Sequence, residues 1–445
     1  MIEKSNESLL FSFSDNPMKI RRIIVGFVLL ALACKTDPDE KQLTEATDYD
    51  QYLVTTNRPT FKEGINSKEF WSKRLRPDSS GVGELGPLAG VYDQLFQTTG
   101  DPQFLRNAEI LYKKGMEISS NDKDAFARGL AHIYISQHRF KEAYALLQVT
   151  LEGPSNKHQT KLLLFDAAME VGDYEKAYEY LSEIKNLNDY HYLIRLSKWS
   201  DHRGDLENAI RYMEEAKAIA ESRDSKPLKI WTYSNLGDYY GHAGRTKDSY
   251  ELYLNTLELQ PDNAYVKRRI AWIIYSEEKN VAEAHRILDS VMKIHKLPDD
   301  HLFKAELYEF EANLTSAKSS QINFIKAVID GKYGEMYNTY LIKIYSETEP
   351  TKALKLAERE VQNRASPESY HLLALAQLKN GMDKEALRTI ELYVEEKTFE
   401  PMALFHAALV FKANDLKDKV TPIKIQLMDA SFELGPLLTK KIEAL

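Results

Sequence analysis

The sequence predicts an all-α fold, a right-handed superhelical solenoid of antiparallel helix pairs with about eight to ten repeats. Three observations carry that reading. Apolar residues recur at i, i+3, i+4 and i+7, the stripe of a 3.6-residue helix, in one pair of segments after another. The small residues Ala143, Ala177, Ala209, Ser249, Ala284, Ser320, Ala353 and Ala386 stand 34, 32, 40, 35, 36, 33 and 33 residues apart, too regular a run for chance. Glycine (19) and proline (15) are too sparse in 445 residues for a turn-rich β fold, while 43% hydrophobic and 28% charged residues mark a chain that folds.

The pairing is clearest in residues 230–263, IWTYSNLGDYYGHAGRTKDSYELYLNTLELQPDN. Tyr233, Leu236, Gly237 and Tyr240 share one face of a first helix, and Ser249, Tyr253 and Thr256 repeat that face on a second. Gly244 lies between them and Pro261 closes the second. Gly237 and Ser249 are small where bulk would keep the two helices apart. The stretch resembles a tetratricopeptide (TPR) repeat, with Tyr233 at the place of the motif's Trp, Ser249 at its Ala and Tyr253 at its Phe.

In chain order, helical periodicity begins near Phe61. Ser67 to Trp71 has the look of a capped helix start, with Arg76-Pro77-Asp78 as its stop. Residues 81–86 read as a glycine-rich connector that lacks the Lys-Ser/Thr of a phosphate loop. A helix through Leu88, Tyr92 and Leu95 ends at Gly100, and Pro102 opens the next. Residues 61–123 are thus degenerate TPR-like helices, and residues 124–400 the regular array. The spacing of 40 is assigned to an insertion at residues 221–226. Residues 401–445 supply capping helices, one over 401–413 and one over 420–434. Gly435-Pro436 should stop the latter, leaving a short last helix.

The N-terminus reads as an address. Lys19, Arg21 and Arg22 precede the apolar run Ile23 to Ala33, which is too short to span a bilayer and suits a signal peptide over residues 1–33. Met18 is the better start, with residues 1–17 a possible start-site artefact. Ala31 and Ala33 ahead of Cys34 resemble the lipobox of bacterial lipoproteins, which implies a lipidated Cys34 and an outer-membrane anchor facing either side. Cys34 is the single cysteine, so no disulfide framework or CxxC site exists. Residues 34–60 are acidic and lack an apolar stripe, as expected of a flexible tether.

Composition and motifs exclude much else. Net charge is −8, and residues 1–33 contribute +1, leaving −9 for the rest; that balance disfavours nucleic acid as a partner. No HExxH, GxSxG, Walker A, EF-hand or GxGxxG pattern is present, so no enzyme activity, metal or cofactor is expected. His202 and His242 both stand two residues before a turn glycine and read as solvated turn histidines.

The TPR resemblance implies a non-catalytic interaction scaffold whose first helices line a concave groove for a peptide or partner protein. Carried onto this chain, the groove set is Arg128, His132, His191, Lys198, Trp231, Asp238, Arg268 and Trp272. Basic and aromatic groups interleave there, which suits a peptide with acidic groups or a free carboxylate. The alternative is a glycan- or nutrient-binding lipoprotein of the SusD type. The short connections from Asp124 to Pro401 and the missing Trp-, Asn- and Gly-rich loop favour the scaffold.

Overall fold

The computed structural model describes residues 42–76 and 81–445. The signal peptide, Cys34 and the Pro77-Asp78 stop lie outside them. Every regular element among the described residues is helical. A short α1 (Ala46–Tyr49) with a 3-10 turn (Asp50–Leu53) and α2 (Pro59–Ser72) come first.

Ten hairpins follow. They are α3 and α4 (Val82–Thr99, Gln103–Ile118), α5 and α6 (Lys123–Ser136, Phe140–Leu151), α7 and α8 (Lys157–Val171, Tyr174–Glu183), α9 and α10 (Tyr190–His202, Leu206–Ser222), and α11 and α12 (Lys226–His242, Thr246–Leu259). The second five are α13 and α14 (Ala264–Ser276, Val281–Ile294), α15 and α16 (Asp299–Phe310, Leu314–Gly331), α17 and α18 (Asn338–Thr348, Pro350–Asn363), α19 and α20 (Pro367–Lys379, Asp383–Tyr393), and α21 and α22 (Pro401–Ala413, Lys417–Asp429). A final α23 (Ser431–Glu443) turns back. This is an all-α, TPR-like solenoid.

The small residues sit where the spacing put them. Ala143, Ala177, Ala209, Ser249, Ala284, Ala353 and Ala386 are fully buried, and Ser320 nearly so. At Gly237 a methyl group would lie 2.6 Å from the Tyr253 ring, so that pair can close only without a side chain. The hairpin turn repeats one geometry. A residue at positive φ, Gly172, Gly204, Gly244 or Gly381, lets the backbone reverse. Where glycine is missing, His138, Lys279, Ala312 or Asp415 takes that conformation. The next residue often caps the second helix: Asp173 and Asp205 accept from Lys176 N and Asn208 N, and Asn280 and Asn313 do the same for Glu283 N and Ser316 N.

Several expectations need correction. Ser67 to Trp71 is the second half of α2, which starts at Pro59, a residue whose missing N–H costs nothing in the first turn. The glycines of residues 81–86 belong to α3, because Leu85, Leu88 and Ala89 bury one helical face there. The extra residues at 221–226 form no excursion; they lengthen α10 and α11, which meet at Asp224. Residues 401–429 are a further full hairpin, leaving only α23 as a cap. The break in the last segment falls at Ala430, and Gly435 kinks α23 (φ 76°, ψ 166°).

The second half of the expected tether is docked. Leu43 N and Thr44 N donate to Glu278 Oε1 (2.9 and 2.7 Å), the Tyr49 hydroxyl donates to Glu283 (2.7 Å), and Tyr49 itself is buried. Residues 42–60 therefore lie across α12 and α14, fixed by aromatic rings that a reading of charge alone overlooks.

That docking belongs to a wider pattern. The chain meets itself again after six or seven hairpins. Lys296 N donates to Thr99 O (2.8 Å), the Tyr333 hydroxyl to Gly100 O (2.8 Å), Asn363 to His138 O (2.8 Å) and Arg364 Nε to Glu170 O (3.1 Å). The superhelix is thus wound tightly enough for successive turns to touch.

A lumen between two turns of the superhelix

The winding encloses an open hollow of about 600 Å³. One wall comes from the last turns of first helices: Glu170 of α7, Lys198, Asp201 and His202 of α9, and His242 of α11. The facing wall comes from one superhelical turn later: Arg364, Glu368, the 398–400 segment, Leu404, and Asp429 and Glu433 at the α22–α23 corner.

Its fixed cations are spent. Lys198 Nζ and Arg364 Nη2 both bind the Glu170 carboxylate, at 2.9 and 3.1 Å. Burial would raise the Glu170 carboxyl, yet the two cations outweigh it and lower its pKa to about 2. Arg364 also approaches Glu368 (3.9 Å), which accepts from the Tyr174 hydroxyl (3.4 Å).

The other acids have no such partners. Asp201, Glu400 and Asp429 make no ion pair among the described residues, and Glu433 has only His242 Nδ1 at 3.8 Å. Burial, with Asp201 nearby, pushes the Glu433 carboxyl up to about 7. Burial, then Glu433, Glu368 and Asp201, pushes Glu400 up to about 7 as well. Glu400 is exposed to the lumen's water, so screening takes back part of that push. His242 is pushed down by burial and then by Arg269, and His202 by burial. The lumen therefore carries six carboxylates against two committed cations.

The groove residues inferred from sequence are dispersed by this geometry. Lys198 alone lines the lumen. Arg128 donates to Ser155 O and the Thr160 hydroxyl (3.2 and 3.3 Å), and His132 pairs with Asp93 (3.2 Å). Asp238 accepts from the Tyr253 hydroxyl (2.6 Å), Arg269 Nε (2.8 Å) and the Tyr265 hydroxyl. Arg268 lies between buried Asp300 (3.5 Å) and His295 Nδ1 (3.4 Å), sealing the seam where His295 also meets Gln97 O. Trp272 is covered: its Nε1–H donates to Phe432 O (3.0 Å) and Gly435 of α23 lies on its ring. His191, Trp231 (41% exposed) and the outer side of His132 stay open.

Several of the basic groups expected to meet an acidic peptide are instead engaged within the fold, Lys198 on Glu170, Arg268 beside Asp300 and Arg128 on Ser155 O and Thr160. His202 and His242, read as solvated turn residues, do converge on the lumen. Glu170 stands two before Gly172, the same register as His202 before Gly204 and His242 before Gly244. That shared register was the signal available in the sequence. Arg364, Glu368, Glu400 and Glu433 carried none, since their partners lie some 190 residues upstream.

Against known proteins, no family model and no curated protein matches the chain. Similar solved structures include a human IFIT1 dimer with m7Gppp-AAAA, 16% identical over 74% of this chain and 75% of that one, with a TM-score of 0.43. Another is the Pyrococcus horikoshii STAND ATPase with a tetratricopeptide repeat sensor, 15% identical over 82% and 55%, TM-score 0.38. A third is YrrB, a TPR protein with an unusual peptide-binding site, 15% identical over 45% and 97%, TM-score 0.26. What those proteins bind is theirs; the chemistry of this lumen rests on its own side chains.

Proposed function

We propose that the chain is a non-catalytic binding scaffold of the bacterial cell envelope, held to the outer membrane by a lipid on Cys34. Its lumen takes an extended, positively charged segment of a partner protein. The observation that carries this reading is the imbalance in the hollow: Glu170 binds both cations that line it, while Asp201, Glu400, Asp429 and Glu433 make no ion pair with a lysine or arginine among the described residues. A lysine or arginine side chain would gain charge-assisted hydrogen bonds there and relieve mutual repulsion among the acids. Phosphate groups would meet the same field as repulsion, which sets nucleic acid aside as a ligand of the lumen.

Binding of a fluorescent lysine-rich peptide to the full chain tests the reading. Affinity should fall with salt and fall at least tenfold in the double variant Glu400→Gln, Glu433→Gln. Equal binding of a glutamate-rich peptide would overturn it. Anchoring is tested by metabolic labelling with a fatty acid, which Cys34→Ser should abolish.

A further inference from the structure

A second hollow of about 470 Å³ adjoins the lumen and differs from it in chemistry. Tyr174, His202 and Phe399 line both. Beyond them the walls are aromatic: Trp199 on one superhelical turn, Tyr370 and Tyr393 on the next. Tyr370 and Tyr393 stack face to face (3.9 Å between centroids, 9° between planes); Tyr370 packs against the buried core behind it, and Lys397 Nζ stands 5.9 Å from the centroid of the more exposed Tyr393 ring. Trp199 is backed by Tyr178 at 5.2 Å, and Tyr174 by His202 at 4.1 Å. At the rim stand Arg203 and Lys397 against one acid, Glu396.

Phe399 is the partition between the hollows. A side chain at Gly204 would lie 2.8 Å from its ring, so the glycine lets Phe399 close onto one turn of the superhelix. The ring is nevertheless 53% exposed and Tyr393 is 41% exposed, both inside a concave seam. Large rings held rigid in a concavity and left uncovered are the usual makings of a binding hot spot. The rim cations oppose a second cation there, so the cleft and the lumen select different groups.

We propose that the two hollows read one bipartite segment of the partner: basic side chains in the lumen, and a single aromatic side chain in the cleft beside Tyr393 and Trp199. The proposal rests on the lumen reading and adds the anchor that fixes register. An aromatic ring suits the exposed surfaces of Tyr393 and Phe399, and the shared Phe399 wall makes the two subsites neighbours along one extended backbone.

The test uses two synthetic peptides and the full chain. One carries six lysines in a glycine–serine background followed by a tryptophan; the other has serine in place of the tryptophan. The tryptophan peptide should bind about tenfold more tightly. Tyr393→Ala should erase that advantage while leaving the serine peptide unchanged. Glu433→Gln should weaken both peptides by the same factor. Retention of the full advantage in both Tyr393→Ala and Tyr393→Ser overturns the aromatic subsite and leaves the lumen reading standing. Failure of both peptides to bind overturns both. Binding of a neutral oligosaccharide that Tyr393→Ala abolishes would assign the cleft to sugar and also overturn the proposal.

Discussion

Replacing Arg364 by alanine should loosen the winding of one superhelical turn on the next. Arg364 stands in the α18–α19 connection and reaches back 194 residues, donating from Nε to Glu170 O (3.1 Å) and from Nη2 to the Glu170 carboxylate (3.1 Å). It also sits 5.4 Å from the centroid of Phe140. Both partners are about one-fifth exposed, so the pair is neither dry nor fully screened. Hydrogen bonds to a charged group contribute about 1.5–3 kcal/mol net. Lys198 remains on Glu170 in the variant and limits the loss. A net cost of about 2 kcal/mol follows, roughly a thirtyfold rise in the population with this seam open.

A solenoid of this length need not unfold in one step, so a single melting temperature is a poor readout. Hydrogen exchange is local and suits the question. Amides around the Gly172 turn and in residues 363–368 should exchange about thirtyfold faster in Arg364→Ala, while those in the α11–α12 hairpin stay unchanged. Arg364→Lys should recover only part, since a point charge cannot serve the carbonyl and the carboxylate together. Protection unchanged within twofold at the Gly172 turn would refute the claim that this arginine clasps the turns.

Gly172→Ala and Gly244→Ala separate turn strain from seam packing. Both residues have positive φ, but a methyl at Gly172 would lie 2.5 Å from Ala365 O, whereas at Gly244 nothing lies within 4 Å. Gly244→Ala should cost about 1–2 kcal/mol of backbone strain and Gly172→Ala clearly more, measured by urea denaturation. Phe324→Ala should cost about 3–5 kcal/mol, because the ring is fully buried between α15, α17 and its own helix. From Glu306, Glu433, His295 and His406 together, stability should be roughly level between about pH 4.5 and 6.5, where their opposing slopes offset each other, and fall on either side. Burial raises Glu306 and Glu433 to about 7, so the native state binds extra protons from about 4.5 upward and loses stability as pH rises through 7. Burial lowers His295 and His406 to about 3, so the unfolded state binds extra protons below 6.5 and stability also falls toward acid. Thermal scans from pH 3.5 to 8.5 test this, and Glu306→Gln with Glu433→Gln should remove the fall above pH 6.5 and turn the level stretch into a rise toward pH 6.5.

Local features were legible because each is written within one repeat. Ala143 and its successors announce helix closeness by their size alone, and Tyr253 over Gly237 needs only neighbours sixteen residues apart. The seam contacts were not legible. Arg364 and Glu170 look like two ordinary surface charges until the pitch of the superhelix brings them together, and nothing in a 34-residue pattern states that pitch. Two of the expected groove residues were misplaced for the same reason: Arg268 and Trp272 occupy first helices as expected, but Asp300 and α23 lie against them. Residues 42–60 show a related blind spot. Tyr49 and Leu53 are too few to form an apolar stripe, yet they suffice once α12 and α14 supply a surface.

Tight winding changes what a helical repeat can bind. An extended solenoid offers a continuous groove in which every first helix contributes, and its chemistry is the sum of the inward positions. Here the turns touch, so most inward charges are spent in pairs such as Lys198 with Glu170 and Arg269 with Asp238. What remains available is set by stoichiometry at each seam. Between α7–α11 and α19–α23 the acids outnumber the bases, and the surplus faces water. That surplus penalises the closed winding by self-repulsion, which adds to burial in raising the Glu400 and Glu433 carboxyls. A cation entering the lumen removes the penalty, so a bound basic segment should stiffen the very seam that Arg364 holds. The same hydrogen-exchange experiment reports it: the lysine–tryptophan peptide should slow exchange at the Gly172 turn and partly restore protection in Arg364→Ala. Binding that left those amides unaffected would place the peptide outside the lumen.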